Sequence, residues 1–384
     1  MNVFPSPEQQ AFQDSMRRFA EAELRPLARE LEARDESVPA DWMRRYAELG
    51  VFGINLPVAY GGQGLTNLDA VLVLEEFARI SSAVAMPVFE ANFGPMAVLA
   101  HFASEEMKQR LLPRVCRGEL VIAVSMSEPE AGTALTDLAT RARRRDGRWI
   151  VDGSKRWCSG AGHAGGYLVY VRMSDAPGAA GIGAVYVERG QAGLRFGARE
   201  ELMGFRGIMT ADMFFDGVEV GDENVVVPAG GFRQLMEAFD LERCGNTTMS
   251  VGIAAGALAD ALEYVQQRRQ FGKPLVDFQA VQLKLAEMAM KVQAARLLLH
   301  HAVRGDGLPS MLDSSMAKCF ANETVREVTG SAMQLLGGYG YSKQFDIERR
   351  LRDAWGWGIA GGTIDVQKIN IASALVGRRF DQRR

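Results

Sequence analysis

The strongest constraint on the fold is a change in sequence character at two points along the chain. Between residues 121 and 228, short β-rich runs separated by glycine replace the longer helical patterns on either side. The runs cover residues 149–151, 167–171, 182–187 and 213–215. No helical segment lies between them, which argues against a doubly wound nucleotide-binding fold. Their spacing predicts a small antiparallel β domain between two helical regions.

Helical patterns cover both flanking regions. Ser6-Pro7-Glu8-Gln9 has the form of a helix start with a capping box, and further helices are expected at 41–49, 67–80, 87–102 and 104–116. After Pro228, long helices are expected at 232–268, 278–304, 311–335 and 363–378, as in a four-helix bundle. We predict an α+β fold with an N-terminal helical domain (1–120), a middle antiparallel β-barrel or sandwich domain (121–228) and a C-terminal helical bundle (229–384).

Composition excludes several classes of function. The chain of 384 residues has a net charge of −3 and no basic cluster with interleaved aromatic residues, so no nucleic-acid surface is expected. Residues 141–148 (RARRRDGR) form the densest positive run, which we place on a solvated turn, with a phosphate contact as the alternative. The four cysteines show no metal-ligand spacing, and no metal is expected. Without an apolar signal segment or a membrane-spanning run, we expect a cytoplasmic protein.

One helical stripe in the segment 235–253 carries polar residues on an otherwise apolar face. The stripe consists of Leu235, Phe239, Glu242, Asn246, Met249 and Ile253. A carboxylate on a face that helix packing buries is costly unless something compensates for it. Glu242 is therefore either a structural acid, paired for example with the adjacent Arg243, or a general base held in a poorly solvated place.

Six short motifs occur in a fixed order along the chain. They are YGGQGL at 60–65, MSEPEAGT at 126–133, KRWCS at 155–159, GFRG at 204–207 with FDGV at 215–218, RRQFG at 268–272, and QLLGGYGY at 334–341. In sequence and order they resemble the motifs of the acyl-CoA dehydrogenase family, over nearly the whole chain. The resemblance implies that family's fold and a flavoprotein that acts on an acyl-CoA substrate.

The same resemblance implies that FAD binds between the β domain and the helical bundle. Hydroxyls of Ser127 and Thr133 would bond to flavin and pyrophosphate oxygens, and Trp157 would form an apolar wall beside the isoalloxazine. The residues assigned to this half of the cofactor are Met126, Ser127, Gly132, Thr133, Trp157, Cys158 and Ser159. Trp157 could equally be plain core packing.

A second group would reach the adenosine–pyrophosphate half of FAD on a neighbouring subunit of a homotetramer (a dimer of dimers), the assembly that the resemblance implies. The planar guanidinium of Arg268 suits phosphate, and glycines allow close approach of the backbone. The assigned residues are Arg268, Gln270, Phe271, Gln334, Gly337 and Gly338, with Thr363 and Asp365 closing the site. The glycines of residues 337–340 could also form only a helix–helix turn.

Two positions depart from the family pattern. The first signature motif usually ends in Asp, where this chain has Ala134, so altered hydrogen bonding of the loop is expected. Many members carry the catalytic Glu just before Gly-Thr in the last helical segment, where this chain has Gly361. A minority carry it on the first bundle helix, in a segment similar to residues 239–243 (FDLER), which puts Glu242 in the position of the base.

The resemblance also directs attention to the substrate pocket. We assign Glu242 and Gly361 to catalysis, the latter through its backbone N–H, and Glu90, Asp240 and Arg243 to substrate binding. Glu90 lies in an apolar run on a helix that would line the acyl pocket. It could favour a polar acyl group or simply be a solvated acid on the helix face.

Two hypotheses of function follow. The first is a FAD-dependent acyl-CoA dehydrogenase that passes electrons to an electron-transfer flavoprotein. Within that fold, the protein could instead be an enoyl-CoA reductase or act on an acyl chain tethered to a carrier protein. The second is a non-catalytic partner subunit of a mixed tetramer. Gly361 and Ala134 suggest it, because both depart from the family pattern.

Overall fold

The computed structural model describes residues 4–305 and 307–380. The first part is helical: α1 Pro7–Phe19, α2 Arg25–Arg34, α3 Ala40–Glu48, α4 Asn67–Ala78, α5 Ser82–Asn92, α6 Gly94–Phe102 and α7 Glu105–Cys116. The predicted capping box is present, since the side chains of Ser6 and Gln9 each accept a hydrogen bond from the other's backbone N–H.

The single helix predicted at 87–102 is in fact the end of α5 and a separate α6. The break follows Asn92, whose side chain bonds to the carbonyls of Val51 and Val88 and to the N–H of Ile54. Pro95 then occupies the first turn of α6, where a missing N–H costs nothing. By length and composition alone the stretch Ser82–Phe102 could cross a membrane, but 83% of its most apolar window is buried inside the fold.

The middle part is an eight-stranded sheet. Its strands are β1 Ile122–Ser125, β2 Arg141–Arg145, β3 Arg148–Ser159, β4 Gly166–Arg172, β5 Ile182–Glu188, β6 Leu194–Arg199, β7 Thr210–Val220 and β8 Val225–Val227. The order is β6-β7-β3-β2-β4-β5-β8, with β1 beside β4. Pairing is mostly antiparallel as predicted, but β1 and β2 both run parallel to β4.

The arginine-rich run is part of a hairpin, so its placement on a turn was wrong. Residues 141–145 form β2, and only Asp146 and Gly147 turn the chain into β3. Both have positive φ (51° and 80°), as a two-residue type I′ hairpin requires. The guanidinium groups remain at the surface, where Arg141 pairs with Asp175 and Arg144 with Asp222.

The last part contains the four predicted long helices. The elements are α8 Phe232–Gln267, a small hairpin of β9 Arg269–Gln270 and β10 Lys273–Pro274, α9 Gln279–Ala302, α10 Met311–Leu336, α11 Gly338–Tyr341, α12 Ile347–Trp357 and α13 Ile364–Val376. Helix α12 was not predicted from the sequence. Its Arg349 and Arg350 are buried and donate to the carbonyls of Ile80 and Arg79.

Helix α8 runs through the interior of the molecule. Of residues 238–257, all but Glu242 are buried. Three glycines allow the N-terminal helices to approach, because a Cβ at Gly245 would lie 2.7 Å from Phe93, one at Gly252 2.6 Å from Ala78, and one at Gly256 2.4 Å from the Arg79 carbonyl. A Cβ at Gly245 would also lie 2.8 Å from the ring of Phe89, so residues of α5 and α8 are held close together.

A buried ion pair fixes the loop after β1 to strand β3. The ammonium of Lys155, fully buried, donates to Glu128 (2.8 Å) and to the carbonyl of Met126 (3.0 Å). The Glu128 carboxylate also accepts hydrogen bonds from the N–H groups of Ala139 and Thr140. Burial lowers the pKa of Lys155 to about 8, although the charge of Glu128 opposes this.

Lys155→Met should destabilise the fold strongly, because it leaves the Glu128 carboxylate buried without its cation. We expect the free energy of unfolding, from urea denaturation, to fall by about 3–5 kcal/mol. Lys368→Met is the control, since that lysine pairs with Glu323 on the exposed surface and its loss should cost about 1 kcal/mol or less. Equal losses in the two variants would show that the buried pair does not hold the loop.

Candidate functional site

Glu242 is the least buried residue of the central part of α8, so its side chain borders an opening in an otherwise packed interior. It makes no hydrogen bond or ion pair to any residue that the structure describes. Burial of the carboxyl group raises its pKa to about 8, against the opposing charges of Arg243 and Lys318. A carboxyl group in this state can take up a proton near neutral pH.

Arg243 does not serve as the partner of Glu242. It forms an ion pair with Asp240, one turn back on α8, and its guanidinium lies over the ring of Phe239 at 5.0 Å. Asp240 also accepts a hydrogen bond from the hydroxyl of Ser314 (2.8 Å) on α10. The structural-acid interpretation therefore describes Asp240, while the substrate-binding role of Asp240 and Arg243 remains a prediction.

Gly361 lies beside the same face of α8. A Cβ at this position would be 3.5 Å from the amide nitrogen of Asn246 and from Cε of Lys318, and 3.9 Å from the ring of Phe239. Its φ of 66° is in the left-handed region, which L-residues with side chains adopt rarely. The two residues that we assigned to catalysis are thus brought to one place from positions far apart in the sequence.

Lys318 also belongs to this site, although it was not predicted from the sequence. Its fully buried ammonium donates to Oδ1 of Asn322 (2.9 Å) and to the carbonyls of Gly362 (2.9 Å) and Trp357 (3.4 Å). These hydrogen bonds hold the loop that contains Gly361 against α10. Burial lowers its pKa to about 7. A lysine in a helical segment gives no sequence signal of such a role.

Glu90 approaches the site from α5. It is 9% exposed, and its Oε1 would be 3.6 Å from a Cβ at Gly160, in the turn after β3. Burial raises its pKa to about 8, and the charge of Glu242 acts in the same direction. Glu90 is therefore not a solvated helix-face acid: it is buried close enough to Glu242 for the two to interact.

The residues assigned to the flavin end lie together on the β sheet side. The carbonyl of Ser127 accepts a hydrogen bond from the N–H of Arg156 (2.9 Å), which joins the loop 126–133 to the segment 155–159. Trp157 is 52% exposed with φ of 62°, beneath the guanidinium of Arg156. Core packing thus does not explain Trp157.

The remaining residues of this group differ in their exposure. Thr133 is exposed, and nothing lies within 4 Å of a Cβ at Gly132, so this side of the loop is open. The thiol of Cys158 is buried and donates to the carbonyl of Val124 (3.4 Å), which leaves only its backbone for a cofactor. Ser159, like Met126 and Ser127, is partly buried.

The residues assigned to the second half of the cofactor gather elsewhere. Arg268, Gly337 and Gly338 line one open cleft of about 530 Å³. Gln334, three residues before Gly337, is exposed. Gln270 is exposed, and Phe271 is 93% exposed although it is aromatic. Residues 338–341 form the short helix α11.

The start of α13 carries the last two assigned residues. The hydroxyl of Thr363 accepts a hydrogen bond from the N–H of Val366 and so caps the helix, with Asp365 exposed in its first turn. Oε1 of the neighbouring buried Gln367 has no hydrogen-bond partner among the described residues. A polar ligand at this helix start would satisfy it.

Comparison with known families identifies the family of the chain. Residues 6–119, 123–218 and 229–376 match the models of the N-terminal, middle and C-terminal domains of acyl-CoA dehydrogenase. The chain belongs to the acyl-CoA dehydrogenase family. It is accordingly a flavin-linked oxidoreductase that acts on acyl-CoA, with FAD as its cofactor. The open loop, the exposed Trp157 and the unpartnered Gln367 oxygen fit that cofactor.

Full-length relatives of the chain differ in the reactions for which they are named. The 3-sulfinopropanoyl-CoA desulfinase of Variovorax paradoxus is 35% identical over 96% of this chain and 94% of its own. The acryloyl-CoA reductase (NADH) of Anaerotignum propionicum is 35% identical, over 97% and 95%. The structure of butyryl-CoA dehydrogenase from Megasphaera elsdenii superposes with a TM-score of 0.94, at 32% identity and 98% and 100% coverage.

Lys318→Met should loosen the loop around Gly361, because it removes the hydrogen bonds to the Gly362 and Trp357 carbonyls. We expect faster amide hydrogen exchange over residues 358–363, measured by mass spectrometry. Lys368→Met, with an exposed ammonium, is the control. Unchanged exchange over residues 358–363 would show that Lys318 does not hold the loop.

Proposed function

We propose that this protein desaturates an acyl-CoA thioester between its α- and β-carbons, with Glu242 as the base that removes the α-proton. The observation that carries the proposal is the state of Glu242: it borders an opening, has no partner among the described residues and has its pKa raised to about 8. When bound, FAD supplies the acceptor for the hydride that leaves the β-carbon.

The rest of the site supports this chemistry. Because the α-proton of a thioester is weakly acidic, its removal needs a base whose pKa lies near the operating pH. It also needs hydrogen-bond donors that polarise the thioester carbonyl. The backbone N–H of Gly361 is the donor that we propose, and Lys318 holds the following carbonyl at 2.9 Å. The proton then goes to the carboxylate of Glu242 and the hydride to the cofactor, which balances the reaction.

Three alternatives exist within the same fold. The named activity of the Anaerotignum relative favours an enoyl-CoA reductase, which would use the same residues in the reverse direction with Glu242 as the proton donor. A non-catalytic subunit would have no use for an unpartnered carboxyl group of raised pKa, so Glu242 argues against that alternative. Nothing in the site favours a carrier-protein tether over coenzyme A.

The partners and surroundings of the enzyme are part of the same proposal. We infer an electron-transfer flavoprotein as electron acceptor, a homotetramer built as a dimer of dimers, and a cytoplasmic location. The exposed side chains of Arg268, Gln270 and Phe271 support the assembly. The ring of Phe271 is 93% exposed in the single chain, as expected of an aromatic residue that another subunit or its cofactor covers.

Glu242→Gln should keep FAD bound but nearly abolish reduction of the flavin by substrate, because the amide cannot accept the proton. We expect the anaerobic rate, followed by bleaching of flavin absorbance across a panel of acyl-CoA thioesters, to fall by about 10²- to 10⁴-fold. Glu237→Gln is the matched control on the same helix, since Glu237 pairs with Arg233 near the surface. A wild-type rate in Glu242→Gln would remove the basis of the proposal.

The rate of flavin reduction should rise with pH. Below its pKa of about 8 Glu242 is protonated and cannot act as base, so the rate should increase by about tenfold per pH unit and level off above the midpoint. Stopped-flow measurements between about pH 6 and pH 9 test this. A flat profile, or one that falls with rising pH, is the contrary result.

A further inference from the structure

Among the most deeply buried acids of the described chain, Glu90 alone has no partner, a state that it shares with the less deeply buried Glu242. Each of the others is neutralised or hydrogen-bonded: Glu75 by Arg296, Glu76 by Arg17, Asp69 by Thr66, Glu128 by Lys155, Asp240 by Arg243, and Asp353 by the N–H of Phe205. Glu90 makes no hydrogen bond or ion pair to any described residue, although only 9% of it is exposed.

The surroundings of Glu90 make this state costly. The space beside Glu90 is lined by apolar side chains, among them Phe52, Leu120 and Ile122, and Oε1 of Glu90 would be 3.6 Å from a Cβ at Gly160. The charged group that acts on it is the acid Glu242 of α8. An ionised carboxylate in such a place is costly unless a cation or a hydrogen-bond donor compensates for it, and a ligand of positive charge would do so.

We propose that Glu90 is a specificity residue that recognises a protonated amine on the acyl chain of the substrate. The inference rests on the proposed function, since it places that acyl chain between α5 and α8. A bound ammonium group would favour the ionised form of Glu90 and pair with it, because its positive charge compensates for the burial and the nearby acid Glu242 that raise the pKa of Glu90. An anionic acyl end would meet two acids, and a plain hydrocarbon would leave Glu90 unpartnered.

The proposal is tested with four thioesters of matched length. These are 4-(dimethylamino)butanoyl-CoA (cationic), 5-methylhexanoyl-CoA (its hydrocarbon isostere), 5-oxohexanoyl-CoA (neutral acceptor) and glutaryl-CoA (anionic). Dissociation constants are measured by flavin absorbance changes in FAD-loaded Glu242→Gln, where slow turnover does not interfere, and in wild-type protein from the concentration dependence of flavin reduction.

We expect the amine to bind at least about tenfold more tightly than the hydrocarbon, and glutaryl-CoA most weakly. Glu90→Gln should abolish the preference for the amine and leave hydrocarbon binding equal or tighter. Glu90→Leu, which removes all polarity, should do the same. Glu106→Gln on exposed α7 is the control and should keep the wild-type order.

Equal binding of the amine and the hydrocarbon, or a preference that survives Glu90→Gln, overturns the proposal. Equal binding of 5-oxohexanoyl-CoA and the amine also overturns it, because Glu90 then acts as a neutral donor. These outcomes concern binding and are separate from the proposed reaction. Failure of every thioester to reduce the wild-type flavin would instead count against the dehydrogenase assignment.

Discussion

The structure depends on a helix whose central part is buried on nearly all sides. Helix α8 lies against N-terminal helices through Gly245, Gly252 and Gly256, where even a Cβ would clash at 2.4–2.7 Å. Close packing on this scale leaves little room for polar side chains unless they are partnered. The one residue of 238–257 that is not buried, Glu242, therefore marks the place where the packing opens. The candidate active site lies at this opening.

Polar groups around that opening are organised by Lys318. Its ammonium ties α10 to the loop that follows α12, and Asn322 extends the network to Asn246 and Ser250 on α8 (3.2 and 2.7 Å). The network places the amine of Lys318 near Glu242 without a direct hydrogen bond between the two. A carboxyl group held this way keeps a raised pKa and still has its oxygens free for a substrate.

Much of the architecture could be predicted from local pattern. The order helical–β–helical and the four long helices are present as expected. They could be predicted because the apolar residues of helices and of strands repeat with different periods, which a short stretch of sequence shows. Errors arose where single side chains override the pattern. Asn92 breaks the helix predicted at 87–102, Asp146-Gly147 turns the arginine run into a strand, and α12 buries arginines that look solvent-facing in sequence.

The sequence by itself determined the family, through motifs in a fixed order, and it singled out Glu242 and Gly361. It left open whether Glu242 was a structural acid paired with Arg243, because neighbours in sequence do not reveal which way side chains point. The tertiary structure decided this by pairing Arg243 with Asp240. It also revealed Lys318 and the unpartnered state of Glu90, since both depend on contacts between helices far apart in the chain, which no local periodicity encodes.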